Sequence, residues 1–95
     1  MSALVWLHEA ASPTEPYRQS HEWAGIARDQ DTQNTYRVSI HWDRSHASQS
    51  SGHVDAWSGA GGWSTIWHML ASEITAKPTR QHAEKWVRLA QGVCG

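Results

Sequence analysis

The sequence contains no phenylalanine and a single cysteine, Cys94. One cysteine excludes an intrachain disulfide and a zinc site made of several thiolates, which favours a reducing compartment. Long apolar runs are also missing, whereas a membrane-spanning helix needs about 20 consecutive apolar residues. The first residues lack the basic and apolar regions of a secretory signal peptide. We therefore expect a cytoplasmic protein that does not enter a membrane.

A large excess of charge of either sign is absent as well, because the formal net charge is −1. This balance argues against a strongly basic nucleic-acid-binding domain and against an acidic mimic of a nucleic acid. The charges are nevertheless unevenly placed along the chain. Residues 1–57 carry four basic and seven acidic side chains, and residues 58–95 carry four basic and two acidic ones. Any contact with phosphates is thus expected from the C-terminal part.

Tryptophan is abundant and supplies most of the large apolar side chains. The seven tryptophans are Trp6, Trp23, Trp42, Trp57, Trp63, Trp67 and Trp86. Each indole buries about 150–250 Å² in a folded protein, which helps a short and polar chain to form a core. A chain of 95 residues has room for one core, so we expect residues 1–95 to fold as a single domain.

Residues 36–42 alternate strictly between apolar and polar side chains. Such alternation is typical of a strand with one buried and one exposed face, and we expect these residues to be the central strand of an antiparallel sheet. Weaker patterns predict further strands at residues 3–8, 21–28 and 53–57. Polar or glycine-rich stretches predict connections at residues 11–20, 29–35, 43–52 and 58–62.

Two helices are predicted after the strands. Residues 63–75 place four large apolar side chains at helical spacing, toward the core: Trp63, Trp67, Leu70 and Ile74. Thr79 is a suitable N-cap for a second helix at residues 80–91. The expected fold class is α+β. It combines a small antiparallel sheet of three to four strands, in meander order, with two C-terminal helices packed on one face.

The polar face of the sheet is the leading candidate for a binding surface. In the predicted register, Trp57 lies beside His53 and Asp55 on that face rather than in the core. An exposed indole among polar groups is typical of a protein–protein hot spot. The expected contact surface consists of Arg37, His41, Asp43, Arg44, His46, His53, Asp55 and Trp57.

This surface predicts a small non-enzymatic protein-binding module that docks on a larger protein or protein complex. No complete catalytic motif is present, and no cofactor is expected. The glycine-rich turn at residues 58–62 is followed by Trp63, where a phosphate-binding loop has lysine. Phage-encoded inhibitors such as anti-CRISPR proteins, and bacterial immunity proteins, have a similar size and organisation. The sequence leaves the oligomeric state open.

Nucleic-acid binding is the first alternative. Four basic side chains lie close together in and just before the predicted last helix: Lys77, Arg80, Lys85 and Arg88. Lysine and arginine bind phosphates through an attraction that depends strongly on salt. This alternative therefore predicts binding that weakens steeply as salt is added.

A metal-dependent hydrolase is the second alternative. Two His-x-Asp pairs lie on strands that are predicted to be neighbours: His41 with Asp43, and His53 with Asp55. Residues two apart on a strand share a face, so both pairs are expected on one patch. Imidazole and carboxylate groups are common ligands of zinc, manganese, nickel and iron. The H-E-x-x-H spacing of many zinc enzymes is absent.

Overall fold

The computed structural model describes residues 4–12, 15 and 17–94. These residues form five antiparallel strands: β1 (Leu4–Ala11), β2 (Ser20–Asp29), β3 (Thr35–Asp43), β4 (Ser51–Trp57) and β5 (Trp63–Met69). Strands that are consecutive in sequence are also neighbours in the sheet, which makes it a meander. One α-helix, α1 (Arg80–Cys94), follows the strands. Single turns of 3-10 helix lie at Ala47–Gln49, Gly59–Gly61 and Ala71–Glu73.

All four predicted strands are present. Residue 3 of the first predicted strand, and residues 13, 14 and 16 of the predicted connector, lie outside the described residues. β1 continues beyond residue 8 to Ala11, and β4 begins at Ser51 rather than at residue 53. For these four strands, the sequence patterns predicted the type of the element better than its ends.

The alternation in β3 determines which side of the sheet is buried. Tyr36, Val38 and Ile40 lie in the hydrophobic core, on the side that we call the helix face because α1 packs there. Arg37 and Ser39 point to the opposite side, which we call the open face. Each strand thus contributes one set of side chains to the core and the other to the open face.

Gly25 in β2 permits two indoles to cross closely over the helix face. A Cβ atom at this position would lie 2.5 Å from the ring of Trp23 and 3.0 Å from the ring of Trp6. The two rings meet edge to face with their centroids 5.1 Å apart, a favourable geometry for aromatic pairs. The close crossing therefore requires glycine at this position.

The predicted last helix is confirmed as α1, which ends at Cys94 rather than at residue 91. Its apolar stripe is buried against the sheet and consists of Ala83, Trp86, Val87 and Ala90. Before the first turn, the Thr79 hydroxyl accepts a hydrogen bond from the His82 N–H at 3.4 Å, and His82 Nδ1 accepts one from the Thr79 N–H at 3.2 Å. No helix among the described residues is long and apolar enough to cross a membrane.

The prediction of a helix at residues 63–75 is wrong. These residues form β5 and the 3-10 turn Ala71–Glu73 instead, so the described chain has five strands and one α-helix. β5 is rich in tryptophan, threonine and isoleucine, which favour strands. Pairing with β5 also satisfies backbone groups of β4 that would otherwise remain unpaired at an exposed sheet edge. Leu70, which was expected in the core, is 65% exposed.

A β-bulge interrupts the alternation of side chains in β5. The register shifts between Val54 and Asp55, which leaves Ile66 as an extra residue in β5. Because of this insertion, Trp63 and Trp67 lie on opposite faces although they are four residues apart. Trp67 contacts Trp86 on the helix face, with centroids 6.3 Å apart. The expectation that Trp63 lies in the core is therefore also wrong.

A buried carboxylate joins the β2–β3 turn to α1. Asp29 is 1% exposed, and its Oδ1 accepts hydrogen bonds from the backbone N–H groups of Asp31 and Thr32 at 2.9 and 3.2 Å. Its Oδ2 accepts bonds from Gln91 at 2.7 Å and from Arg88 at 3.3 Å. The same side chain thus shapes the turn and fixes the end of α1.

Candidate functional site on the open sheet face

The open face collects most of the side chains predicted to form the contact surface. Five of them lie on β3 and β4 at positions that alternate with the core: Arg37, His41, His53, Asp55 and Trp57. β3 and β4 pair directly, and Arg37 stands opposite Asp55. The described part of the chain places α1 on the other side of the sheet.

Asp55 is the centre of a hydrogen-bonded cluster on this face. It is only 2% exposed, although it lies on the side of the sheet that α1 does not cover. Its Oδ2 accepts a bond from Arg37 Nε at 2.9 Å, with Arg37 Nη2 at the same distance. Its Oδ1 accepts a bond from the Thr65 hydroxyl at 2.7 Å, and His53 Nε2 lies 3.4 Å from Oδ2. The carboxylate therefore links β3, β4 and β5.

The surroundings of Asp55 favour its ionised form. Burial by itself raises the pKa of the carboxyl, but several contacts act against it. The hydrogen bonds from Thr65 and Arg37 and the charges of His53 and Arg37 together hold the pKa of Asp55 below its ordinary value. Asp55 is therefore a charged, buried and internally bonded group at neutral pH.

An aromatic and cationic stack adjoins this cluster. The rings of Trp57 and Trp63, which are opposite each other in β4 and β5, meet edge to face with centroids 5.2 Å apart. The guanidinium carbon of Arg37 lies 4.6 Å from the centroid of the Trp63 ring, within the range of a cation–π contact. Trp57 is 50% exposed. We call Arg37, Trp57 and Trp63 the Trp–Arg platform.

A shallow groove of about 350 Å³ lies beside the platform on the open face. Its lining includes six side chains: Glu22, Ala24, Ser39, His41, Ser51 and His53. The small residues of this set, Ala24 and Ser39, face each other across β2 and β3, which leaves the depression between larger neighbours. His41 Nδ1 lies 3.4 Å from Glu22 Oε1 at one side of the groove.

The remaining three predicted contact residues lie in or at the edge of the β3–β4 loop. Asp43 Oδ1 accepts hydrogen bonds from the N–H groups of Ser45 and His46 at 2.9 and 2.7 Å. The buried Ser50 hydroxyl accepts a bond from the Asp43 N–H at 2.9 Å. The Asp43 carboxylate thus organises the loop, while Arg44 and His46 are exposed at its tip.

The sequence prediction missed Trp63, Thr65 and His68, which belong to the same surface. Thr65 binds Asp55 and His68 stands opposite His53. All three lie in β5, which had been assigned as a helix. The signal that would have revealed them is the strand-forming composition of residues 63–67.

The basic side chains near α1 are partly used within the fold. Arg80 forms an ion pair with Glu9 of β1, with Nη2 2.9 Å from Oε2, and Arg88 contacts Asp29 at 3.3 Å. The ammonium group of Lys85 lies 6.0 Å from the centroid of the Trp86 ring. Two of the four charges therefore help to attach α1 to the sheet, and nucleic-acid binding by this helix stays a prediction.

Metal binding gains no support from the geometry of the predicted ligands. Within residues 4–12, 15 and 17–94, no group of three or more His, Cys, Asp or Glu side chains is placed to hold a metal ion. Asp43 and Asp55 already accept hydrogen bonds from the loop and from Arg37. The hydrolase alternative therefore also stays a prediction.

A buried histidine lies on the helix face near the end of the sheet. His21 stacks on Trp42 with centroids 5.7 Å apart, and its Nδ1 has no hydrogen-bond partner among the described residues. Burial, followed by the positive charges of Lys77, Arg18 and Arg44, lowers the pKa of His21 below the ordinary histidine value. His21 is therefore a neutral core residue.

Comparisons of this chain with protein-family models, with curated proteins and with solved structures gave no match. No relative therefore supplies a function. The geometry of the open face is the basis for the functional assignment that follows.

Proposed function

We propose that this protein is a small non-enzymatic binding module that docks on a larger protein through its open face. The observation that supports this proposal is the Trp–Arg platform, in which a half-exposed Trp57 packs on Trp63 beside Arg37. Tryptophan and arginine are the residue types most enriched among the energetically dominant residues of protein interfaces.

The Asp55 cluster makes the platform suitable for binding because it orders Arg37 in advance. Immobilising a long side chain costs about 0.5–1.5 kcal/mol when it happens during association. Arg37 is already bonded to Asp55 and in contact with the Trp63 ring, so most of that cost is met during folding. The Arg37 side chain remains 40% exposed, and its guanidinium can donate to a partner.

The groove provides the second part of the proposed interface. A side chain of the partner that enters between His41 and His53 would exclude water next to the platform. Polar groups around an aromatic anchor are the usual arrangement of a protein interface. A docking module of this size acts by covering a surface of its partner. We propose that it inhibits the partner in this way, as phage-encoded or immunity-type inhibitors do.

Affinity measurements on platform variants test the proposal. The partner is first captured from host lysate by crosslinking to the intact protein and identified by mass spectrometry, and its affinity is then measured by calorimetry. We expect Trp57→Ala to weaken binding about 30-fold or more, because a hot-spot residue contributes at least about 2 kcal/mol. Tyr17→Ala is the matched control, since Tyr17 is 75% exposed and is not part of the open face.

Arg44→Ala determines whether the β3–β4 loop belongs to the same interface. A loss of affinity comparable to that of Trp57→Ala would extend the contact surface from the platform to the loop. Crosslinks that map to α1, together with unchanged affinity of Trp57→Ala, would contradict the proposal. Unfolding curves of each variant establish that the fold is intact.

A further inference from the structure

β5 is an edge strand whose outer side is unpaired within the part of the chain that the structure describes. It pairs with β4 only, and its outer backbone groups make no hydrogen bond to another described element. Edge strands are usually protected by charged residues, proline or a β-bulge. β5 contains no charged residue and no proline, whereas the opposite edge strand, β1, carries Glu9 in an ion pair with Arg80. The bulge at Ile66 is the one such feature of β5, and it adds no charge to the edge.

The unpaired edge is continuous with the Trp–Arg platform. Trp63 belongs to β5 itself, and its ring contacts both Trp57 and Arg37. A partner that covers the platform therefore reaches the backbone of β5. Extended segments bind to such edges by main-chain hydrogen bonds, and alternate side chains provide the specificity.

The open-face side chains nearest to this edge indicate the chemistry of the segment. Arg37, His53 and His68 offer donor groups there, with Arg37 and His53 each 40% exposed on the side chain. The carboxylate of Asp55 is buried and accepts bonds from its neighbours. The exposed surface at this edge thus complements carboxylates.

We propose that β5 accepts an extended acidic segment of the partner protein as a sixth strand of the sheet. This inference rests on the proposed function, since it names how the partner engages the same face. A second copy of this chain fits less well, because its own β5 contains no carboxylate to place opposite His68. Acidic side chains at alternate positions of the segment lie on the open face, one of them beside His68, and the other side chains extend over the helix face.

Titration with two synthetic peptides tests this proposal in the intact, isotopically labelled protein. One heptapeptide alternates glutamate and valine, and the matched one alternates lysine and valine. We expect the glutamate peptide to shift the amide signals of β5 and the indole signal of Trp63 and to slow amide exchange along β5. The lysine peptide should leave these signals unchanged.

A negative charge introduced at His68 tests the origin of the preference. We expect His68→Glu to weaken binding of the glutamate peptide about fivefold, the size of one exposed charge–charge contact, and to improve binding of the lysine peptide. His8→Glu is the matched control, because His8 is exposed on the opposite edge strand, β1. It should leave the binding of both peptides unchanged.

Three outcomes would overturn the inference. They are the absence of any shift at millimolar peptide, shifts confined to β1 or α1, and a dimer, seen by analytical ultracentrifugation, that protects β5 without peptide. The last would assign the edge to a second copy. The two proposals can fail separately: binding of the captured partner that depends on Trp57 but not on His68 retains docking and excludes strand addition.

Discussion

The two faces of the sheet are built from the same strands, but the buried carboxylate on each face has a different structural role. On the helix face, Asp29 bonds to Gln91 and Arg88, which are 62 and 59 residues away in the chain. On the open face, Asp55 bonds only to neighbours in the sheet, among them Arg37 and Thr65. The first carboxylate attaches one element to another, whereas the second orders side chains that remain at the surface.

This difference distinguishes side chains that the fold requires from side chains that remain available at the surface. The helix face accounts for the core, because its apolar residues pack against α1. The open face contributes an ordered aromatic and cationic surface that the core does not require. Substitutions should therefore separate the two faces in measurements of stability and of binding.

The largest expected effect on stability contrasts Trp86 with Trp57. Trp86 is 6% exposed on the helix face and Trp57 is 50% exposed on the open face. We expect Trp86→Ala to lower the free energy of unfolding by about 3–5 kcal/mol, because it leaves a cavity in the core. Trp57 is already half in solvent, so Trp57→Ala should cost about half as much, about 1.5–2.5 kcal/mol. Urea unfolding measures both, and equal losses would contradict the contrast.

An intermediate effect is expected at Asp55. Replacing its carboxylate in Asp55→Asn weakens the bonds to Arg37 and Thr65, which should cost about 1–3 kcal/mol at neutral pH. The folded pKa of Asp55 is lowered, so its contribution is present at neutral pH and is lost as the pH falls through the carboxyl range. The variant and the natural protein should thus differ less at about pH 3 than at about pH 7.

The exposed Asp31 in the β2–β3 turn provides the control for Asp55. Asp31→Asn should change the free energy of unfolding by less than about 0.5 kcal/mol at either pH, as is usual for surface substitutions. A loss at Asp31 as large as that at Asp55 would show that the open-face cluster has no special role.

The smallest expected effect is a pH dependence at His21. Its pKa is lowered in the folded protein, so the unfolded chain binds the proton more readily and stability falls as the pH drops below about 6.5. His21→Phe keeps a ring on Trp42 but cannot titrate, and we expect its urea midpoint to decrease less between about pH 7.5 and about pH 5.5.

The strands β2, β3 and β4 could be predicted because the side-chain period of a strand is visible in the sequence. Val38 and Ile40 lie inside and Arg37 lies outside, as their alternation predicts. β5 could not be recognised, because the bulge at Ile66 interrupts its alternation and places Trp63 and Trp67 on opposite faces. Only the long-range pairing with β4 decides between the two structures.

The candidate site could be predicted in part for the same reason. Trp57 is exposed beside His53, as the register of β4 implied. The partner of Trp57 is Trp63, whose position depends on the missed strand. The burial of Asp55 depends on three neighbouring strands at once, and no local pattern reports such a contact.

The position of α1 in the chain has a consequence for synthesis on the ribosome. The strands of a meander can pair one after another as they emerge, but Trp23, Val38 and Val54 share the core with a helix that follows all of them. Until that helix has left the exit tunnel, the nascent sheet shows its apolar side to chaperones and to other chains. At that stage, the hydrogen bonds from Arg88 and Gln91 to the Asp29 carboxylate have not yet formed.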